Sequence, residues 1–171
     1  MKILKLARVA SIGTAVLLFG LFVPAKTMAK DQVAIQGEFT TAFVFTSPPP
    51  LLTIHVTGDG WVSRLGETSC DTDSEIVDFT QQPLPTLTAT FTLNAANGDK
   101  LVVEMNGVAI PAEDGSVTFD GALIFTGGTG RFIQATGTGE FHGAATPTSD
   151  TGGVGWFAIE GSVSSVGASK R

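Results

Sequence analysis

The sequence predicts an all-β protein, an eight-stranded antiparallel barrel standing behind a removable leader. Three observations carry that expectation. Apolar residues recur at every second position through most of the chain after residue 29. Glycine, proline and Asn-Gly clusters separate these runs at regular spacing. No long stripe of helical period follows the leader.

Residues 1–29 read as a secretory signal peptide. Lys2, Lys5 and Arg8 form a basic start, and Ile12 to Val23 is an apolar run. Thr27-Met28-Ala29 supplies the small residues of a cleavage site, with cleavage expected after Ala29. An uncleaved anchor is the rival, but the run is short for a membrane span. No Cys lies near the cleavage point to carry a lipid. The expected mature protein is secreted or periplasmic and does not span a membrane.

The expected strands are 33–46, 51–59, 61–70, 86–94, 100–106, 116–126, 132–144 and 154–164. In the first, Phe39, Phe43 and Phe45 share a face with Val33 and Ile35. Ser47-Pro48-Pro49-Pro50 cannot donate to a ladder and must connect. Gly58-Asp59-Gly60 reads as the turn between the second and third strands. Pro83 and Pro85 break the chain before Leu87, Ala89, Phe91 and Leu93, which alternate with threonines. Asn97-Gly98-Asp99 is a hairpin turn into Leu101, Val103 and Met105. Val117, Phe119, Leu123 and Phe125 share a face with Gly121. Ala145 to Gly153 is polar and aperiodic, a loop. Residues 30–164 therefore form one barrel domain, and 165–171 a flexible tail. Eight such strands close without a free edge; a β-sandwich is the structural rival.

Charge excludes one class of partner. All 16 acidic residues lie beyond the leader, which holds four of the 10 basic ones, so the domain is more acidic than the whole chain's −6. No basic stripe exists to neutralise phosphates, and a nucleic-acid partner is not expected. Cys70 is the sole cysteine, so no intramolecular disulfide can form. It reads as a small buried hydrophobe, an intermolecular bridge or a reactive thiol.

The polar chemistry is sparse. His55 and His142 lack partners at metal or triad spacing, and no metal site is expected. Glu140 and His142 lie two apart on one strand face. They form a weak acid–base pair inside a barrel, or a solvated pair outside it. Asp71-Thr72-Asp73-Ser74-Glu75 imitates the start of a calcium loop, but Ile76 and Gln82 occupy the positions that need Gly and Glu. A solvated acidic loop is the plainer reading. The 12 Phe residues, with Tyr absent, serve a barrel core, a subunit interface in a homo-oligomer, or an apolar pocket. Phe91 and Phe125 are candidate pocket residues. Trp61 and Trp156 are candidates for its rim or for surface anchors.

The segment Gly121 to Phe141 is the most informative. Gly127-Gly128-Thr129-Gly130 is read as a structural turn, with a strand leaving it at Phe132. A phosphate loop would need a helix behind it. Gly127-Gly128-Thr129-Gly130-x-Phe132-x-x-Ala135-x-Gly137 resembles the glycine hairpin of the allene oxide cyclase and dirigent superfamily. Arg64-Leu65-Gly66 and the closing Gly155 to Ser162 are similar to further segments of its small secreted bacterial members. The resemblance spans about residues 33–164, and only the hairpin is specific. It implies an eight-stranded antiparallel barrel whose apolar cavity positions a small molecule without a cofactor. The matched residues are turn and packing positions. No match exists for the acidic and amide residues that the plant cyclases place in the cavity. Cys70 follows Arg64-Leu65-Gly66 much as a cavity Cys does there, with shorter spacing. The functional expectation is an exported barrel holding a small apolar ligand. The alternatives are a cofactor-independent cyclase or isomerase, and a structural envelope or matrix protein with a filled barrel.

Overall fold

Buried and exposed side chains alternate along much of the chain, as in β1 and β4, and the paired strands close into a barrel. The computed structural model describes residues 31–164; the expected signal peptide and the tail from 165 lie outside them. The strands are β1 (Gln32–Phe45), β2 (Leu51–Val62), β3 (Gly66–Asp78), β4 (Thr86–Ala95), β5 (Lys100–Pro111), β6 (Val117–Gly128), β7 (Gly137–Ser149) and β8 (Gly152–Ser164). Each pairs antiparallel with the next, and β8 returns to β1 with Phe39 opposite Phe157. The result is one closed eight-stranded barrel rather than a sandwich, and closure removes every sheet edge.

Five boundaries differ from the sequence reading: β5 continues past 106 to Pro111, and the other four each have a physical reason. β2 runs straight through Gly58-Asp59-Gly60 to Val62. A Cβ on Gly60 would lie 2.8 Å from the Phe39 ring, so glycine here makes room for a neighbour and not a turn. The turn falls instead at Ser63-Arg64-Leu65, where Arg64 has φ 75° and Gly66 φ 81°. β3 continues through the acidic segment, which is strand and not a solvated loop. β7 extends to Ser149 and β8 begins at Gly152, leaving Asp150-Thr151 as the connection. The ladder slips between Pro147 and Ser149, beside a proline that cannot donate to it.

The last difference is the glycine hairpin. The chain does not enter a strand at Phe132. It makes a short 3-10 turn over Gly130–Phe132, and β7 starts at Gly137. Phe132 and Ala135 are buried in the barrel's end. Thr129 fastens the loop to Lys100: its N–H donates to the Lys100 carbonyl at 2.9 Å, and its Oγ1 accepts from the Lys100 N–H at 3.0 Å. Arg131 places its guanidinium 4.9 Å from the Phe132 ring and its Nε 3.3 Å from Asp99 Oδ2.

The two ends of the barrel are therefore unlike. Val62, Leu65, Leu93, Leu101, Phe132 and Ala135 are buried together and plug the end that carries the β6–β7 loop. At the other end Phe45, Leu52, Ile54, Phe79, Val117 and Phe119 face inward but remain only partly buried. Between them the aromatic rings make contact across the interior. Phe39 stacks on Phe157 at 4.7 Å, and Phe157 meets Phe91 at 5.3 Å. Such pairs add to the burial of their area.

Candidate functional site

The interior toward the unplugged end holds a cavity of about 240 Å³. Its walls come from all eight strands. Phe43 and Phe45 stand on β1, Ile54 and Val56 on β2, Leu87 and Phe91 on β4. Phe79, Met105, Phe119, Phe141 and Phe157 complete the aromatic and thioether lining. Glycines explain part of the space. A Cβ on Gly153 would meet the Phe43 ring at 2.7 Å, and one on Gly107 would meet the Phe141 ring at 2.9 Å. The rings lie against the wall where side chains are missing, which leaves the middle clear. Gly137 and Gly139 let β7 and β8 approach closely and are not part of its lining.

Two lining residues are polar, Thr41 and Glu75. Glu75 is brought inside by a β-bulge. From Thr68 through Cys70 to Thr72 the even-numbered residues of β3 face the interior. The ladder with β4 then slips: Thr72 pairs with Phe91 and Ser74 with Thr90, so Asp73 is an extra residue. After it the odd-numbered residues face inward, and Glu75 and Val77 line the cavity. Ile76 is turned to the outside and is 38% exposed. Ile54 of β2 and Ala89 of β4 stand opposite Glu75 in the ladder.

Thr72 ties this bulge together. Its Oγ1 accepts from the Val56 N–H at 2.7 Å and lies 3.2 Å from the Val56 carbonyl, to which it donates. These bonds cross the gap where the β2–β3 register slips between Ile54 and Thr57. Thr72→Val keeps the shape and strands both backbone groups. It should lower stability by about 1–3 kcal/mol, the cost of a buried unpaired polar group. Thr72→Ser should retain most of it. Urea denaturation of the two variants checks this, and a wild-type midpoint for Thr72→Val would refute it.

Burial alone pushes the Glu75 carboxyl up from 4.5 to about 7. The residue is half-buried overall because it borders the cavity. Among the described residues its carboxyl has no hydrogen-bond or ion-pair partner. Sequence reasoning missed Glu75 because a bulge is invisible to simple alternation. The available signal was the spacing of Glu75, Val77 and Phe79, which restarts an odd-numbered face just after Cys70 and Thr72 end an even one.

The residues singled out from sequence do not converge. Phe91 lines the cavity. Phe125 is 1% exposed and packs in the core without touching the cavity. Cys70 faces inward but lies outside the lining; burial, with Asp59 and Asp71 nearby, pushes its thiol up to about 12. A thiol so held is protonated at neutral pH and is a poor nucleophile. Trp61 and Trp156 are 58% and 47% exposed on the outer wall and do not rim the cavity, because their strand positions have outward parity. Glu140 and His142 are also outside, for the same reason. They border a shallow depression with Asp120 and Ala122, and the His142 ring meets Trp156 edge-on at 5.6 Å. His55 pairs with Asp71 at 3.6 Å on the exterior. The glycine turn residues Gly127, Gly128, Thr129 and Gly130 are at the plugged end, far along the barrel from the cavity mouth. Among the described residues no group of three or more His, Cys, Asp or Glu is placed to hold a metal ion. None of their helices is long and apolar enough to cross a membrane.

Fold and site together define a closed eight-stranded β-barrel, plugged at one end, with an apolar cavity that Glu75 helps to line. Comparison with protein-family models, with curated proteins and with solved structures finds no match for the chain.

Proposed function

We propose that the protein is an exported barrel that holds a small apolar ligand in its cavity, in the manner of the allene oxide cyclase and dirigent superfamily. The observation that carries this reading is the cavity itself. Eighteen of its 20 lining residues are apolar, and it lies above a plugged floor. An eight-stranded barrel is either filled by its own side chains or keeps room for one small ligand. The cavity argues against the filled, purely structural alternative. At protein-like packing density, about 240 Å³ takes roughly ten to twelve non-hydrogen atoms. The inward carboxyl of Glu75 supports a second reading, a cofactor-independent isomerase or cyclase. A carboxyl shifted toward neutrality by burial is suited to proton transfer.

Thermal melting with a ligand panel tests the binding function. Medium-chain fatty acids and alkyl phenols should raise Tm, because a ligand that binds only the folded state stabilises it by mass action. At a free concentration of about 100 times Kd the gain is about 2.7 kcal/mol. Nucleotides and sugars should leave Tm unchanged. Native mass spectrometry of protein purified from its own source should show a co-purifying small molecule. No shift across the apolar panel would overturn the proposal.

A further inference from the structure

We infer that the cavity takes an apolar molecule bearing one hydrogen-bond-accepting oxygen, such as a ketone or ester carbonyl, and that Glu75 is the residue that holds that oxygen. The inference rests on the proposed binding function and names the ligand class for that same cavity.

The placement of Glu75 runs against ordinary strand patterning. A regular β3 would have kept the even-numbered face inside, with Ile76 in the cavity and Glu75 in water. The extra residue at Asp73 reverses this. An isoleucine is left 38% exposed and a carboxyl is turned into an apolar chamber. Bulges that re-aim a side chain belong next to functional sites, and a local violation of patterning marks such a site. Thr72 secures the bulge by its two bonds to Val56, so the inversion is built into the wall.

The surroundings decide which form of the carboxyl is present. Ile54 and Ala89 flank it in the ladder, and among the described side chains no other ionisable group lines the cavity. β4 carries no ionisable residue from Thr86 to Ala95. On β2, His55 is exposed and pairs with Asp71 outside, and Asp59 is also exposed. On β3 itself, Glu67 and Asp71 are exposed, Asp78 bonds Thr80 and Gln81 near the strand end, and Cys70 stays a thiol. With no cation within the chamber, desolvation favours the neutral acid. A neutral carboxylic acid has one O–H donor. A ligand that displaces water without accepting from that donor leaves it unsatisfied, and that costs affinity. A ligand oxygen at the right depth satisfies it, while the remaining atoms of the ligand fill the apolar walls. The neutral acid kept in an apolar site for its donor is a known use of a raised carboxyl pKa.

The test compares two probes of similar size, butyrophenone and butylbenzene, by calorimetry on the full-length protein between about pH 5 and about pH 9. Wild type should bind butyrophenone about tenfold more tightly than butylbenzene below neutrality, the worth of one buried hydrogen bond. That preference should vanish as the pH rises through about 7, because a carboxylate cannot donate. Glu75→Gln keeps an N–H donor and should hold the preference at every pH. Glu75→Leu should bind the two probes equally, with no pH dependence. Two results would overturn the inference while leaving the binding function intact: butylbenzene bound as well as the ketone by wild type, or the ketone preference surviving in Glu75→Leu. Failure of both probes to bind wild type at any pH would overturn the binding function and the inference with it.

Discussion

Glu75→Leu will gain stability relative to wild type as the pH rises from about 4.5 to about 7. The sign follows from the direction of the shift. The folded protein raises the carboxyl from 4.5 to about 7, so the folded state holds the proton more tightly than the unfolded chain. Stability from this group is therefore complete below about pH 4.5, declines as the pH rises toward 7, and stays at the lower level beyond it. Each pH unit in that window is worth up to about 1.4 kcal/mol, which bounds the whole effect at about 3 kcal/mol. Water entering through the cavity mouth reduces it, and about 2 kcal/mol is expected. Urea midpoints for both proteins at several pH values measure the difference and cancel the other groups. Asp78 and Asp114, held below the usual carboxylate range by hydrogen bonds to Thr80, Gln81 and Ser116, contribute equally to both proteins. Parallel profiles for wild type and Glu75→Leu would show that the carboxyl is solvated and would remove it from the site.

Gly128→Val will destabilise the barrel by on the order of 3 kcal/mol or will prevent folding. Gly128 has φ 157° and sits opposite Leu101 at the start of β5. A Cβ there would overlap the Lys100 carbonyl oxygen and lie 2.8 Å from its carbonyl carbon. Both atoms belong to backbone held in the ladder, so neither can move aside. Gly127→Ala is the matched control. Its φ of 128° imposes strain, but the nearest atom to an added Cβ is the Ile133 carbonyl oxygen at 3.8 Å. Conformational strain alone costs about 1–3 kcal/mol, so Gly127→Ala should fold and melt lower. Equal denaturation midpoints for Gly128→Val and wild type would contradict the steric account.

Much of the architecture is legible in the sequence because it rests on local rules. Period-two alternation places Phe39, Phe43, Leu87, Phe91, Leu123 and Phe125 inside, and each is buried. Ser47 to Pro50 and Asn97-Gly98 connect strands as their turn chemistry requires. The errors come from residues whose meaning depends on a neighbour remote in sequence. Gly60 looks like a turn residue until Phe39 is placed across from it. Phe132 continues an apolar pattern, yet it becomes a plug because the barrel end needs filling. Asp71 to Glu75 looks like a solvated loop because it is acidic, and only pairing with both β2 and β4 makes it strand.

The candidate site shows the same division more sharply. Composition and alternation are properties of single residues and their near neighbours, so the chain by itself determines that it is all-β, that eight strands form, and which faces of most of them are apolar. A cavity is a property of opposed walls, and a bulge is a mismatch between two strands. Only closure of the barrel decided that the Phe rings lie against glycine-bearing walls, that Trp61, Glu140, His142 and Trp156 look outward, and that Glu75 looks in. The reason is the period of the strand: one extra residue at Asp73 reverses every side chain after it, and although the sequence spacing hints at a change of face after Thr72, only pairing with β4 fixes the residue that is absorbed.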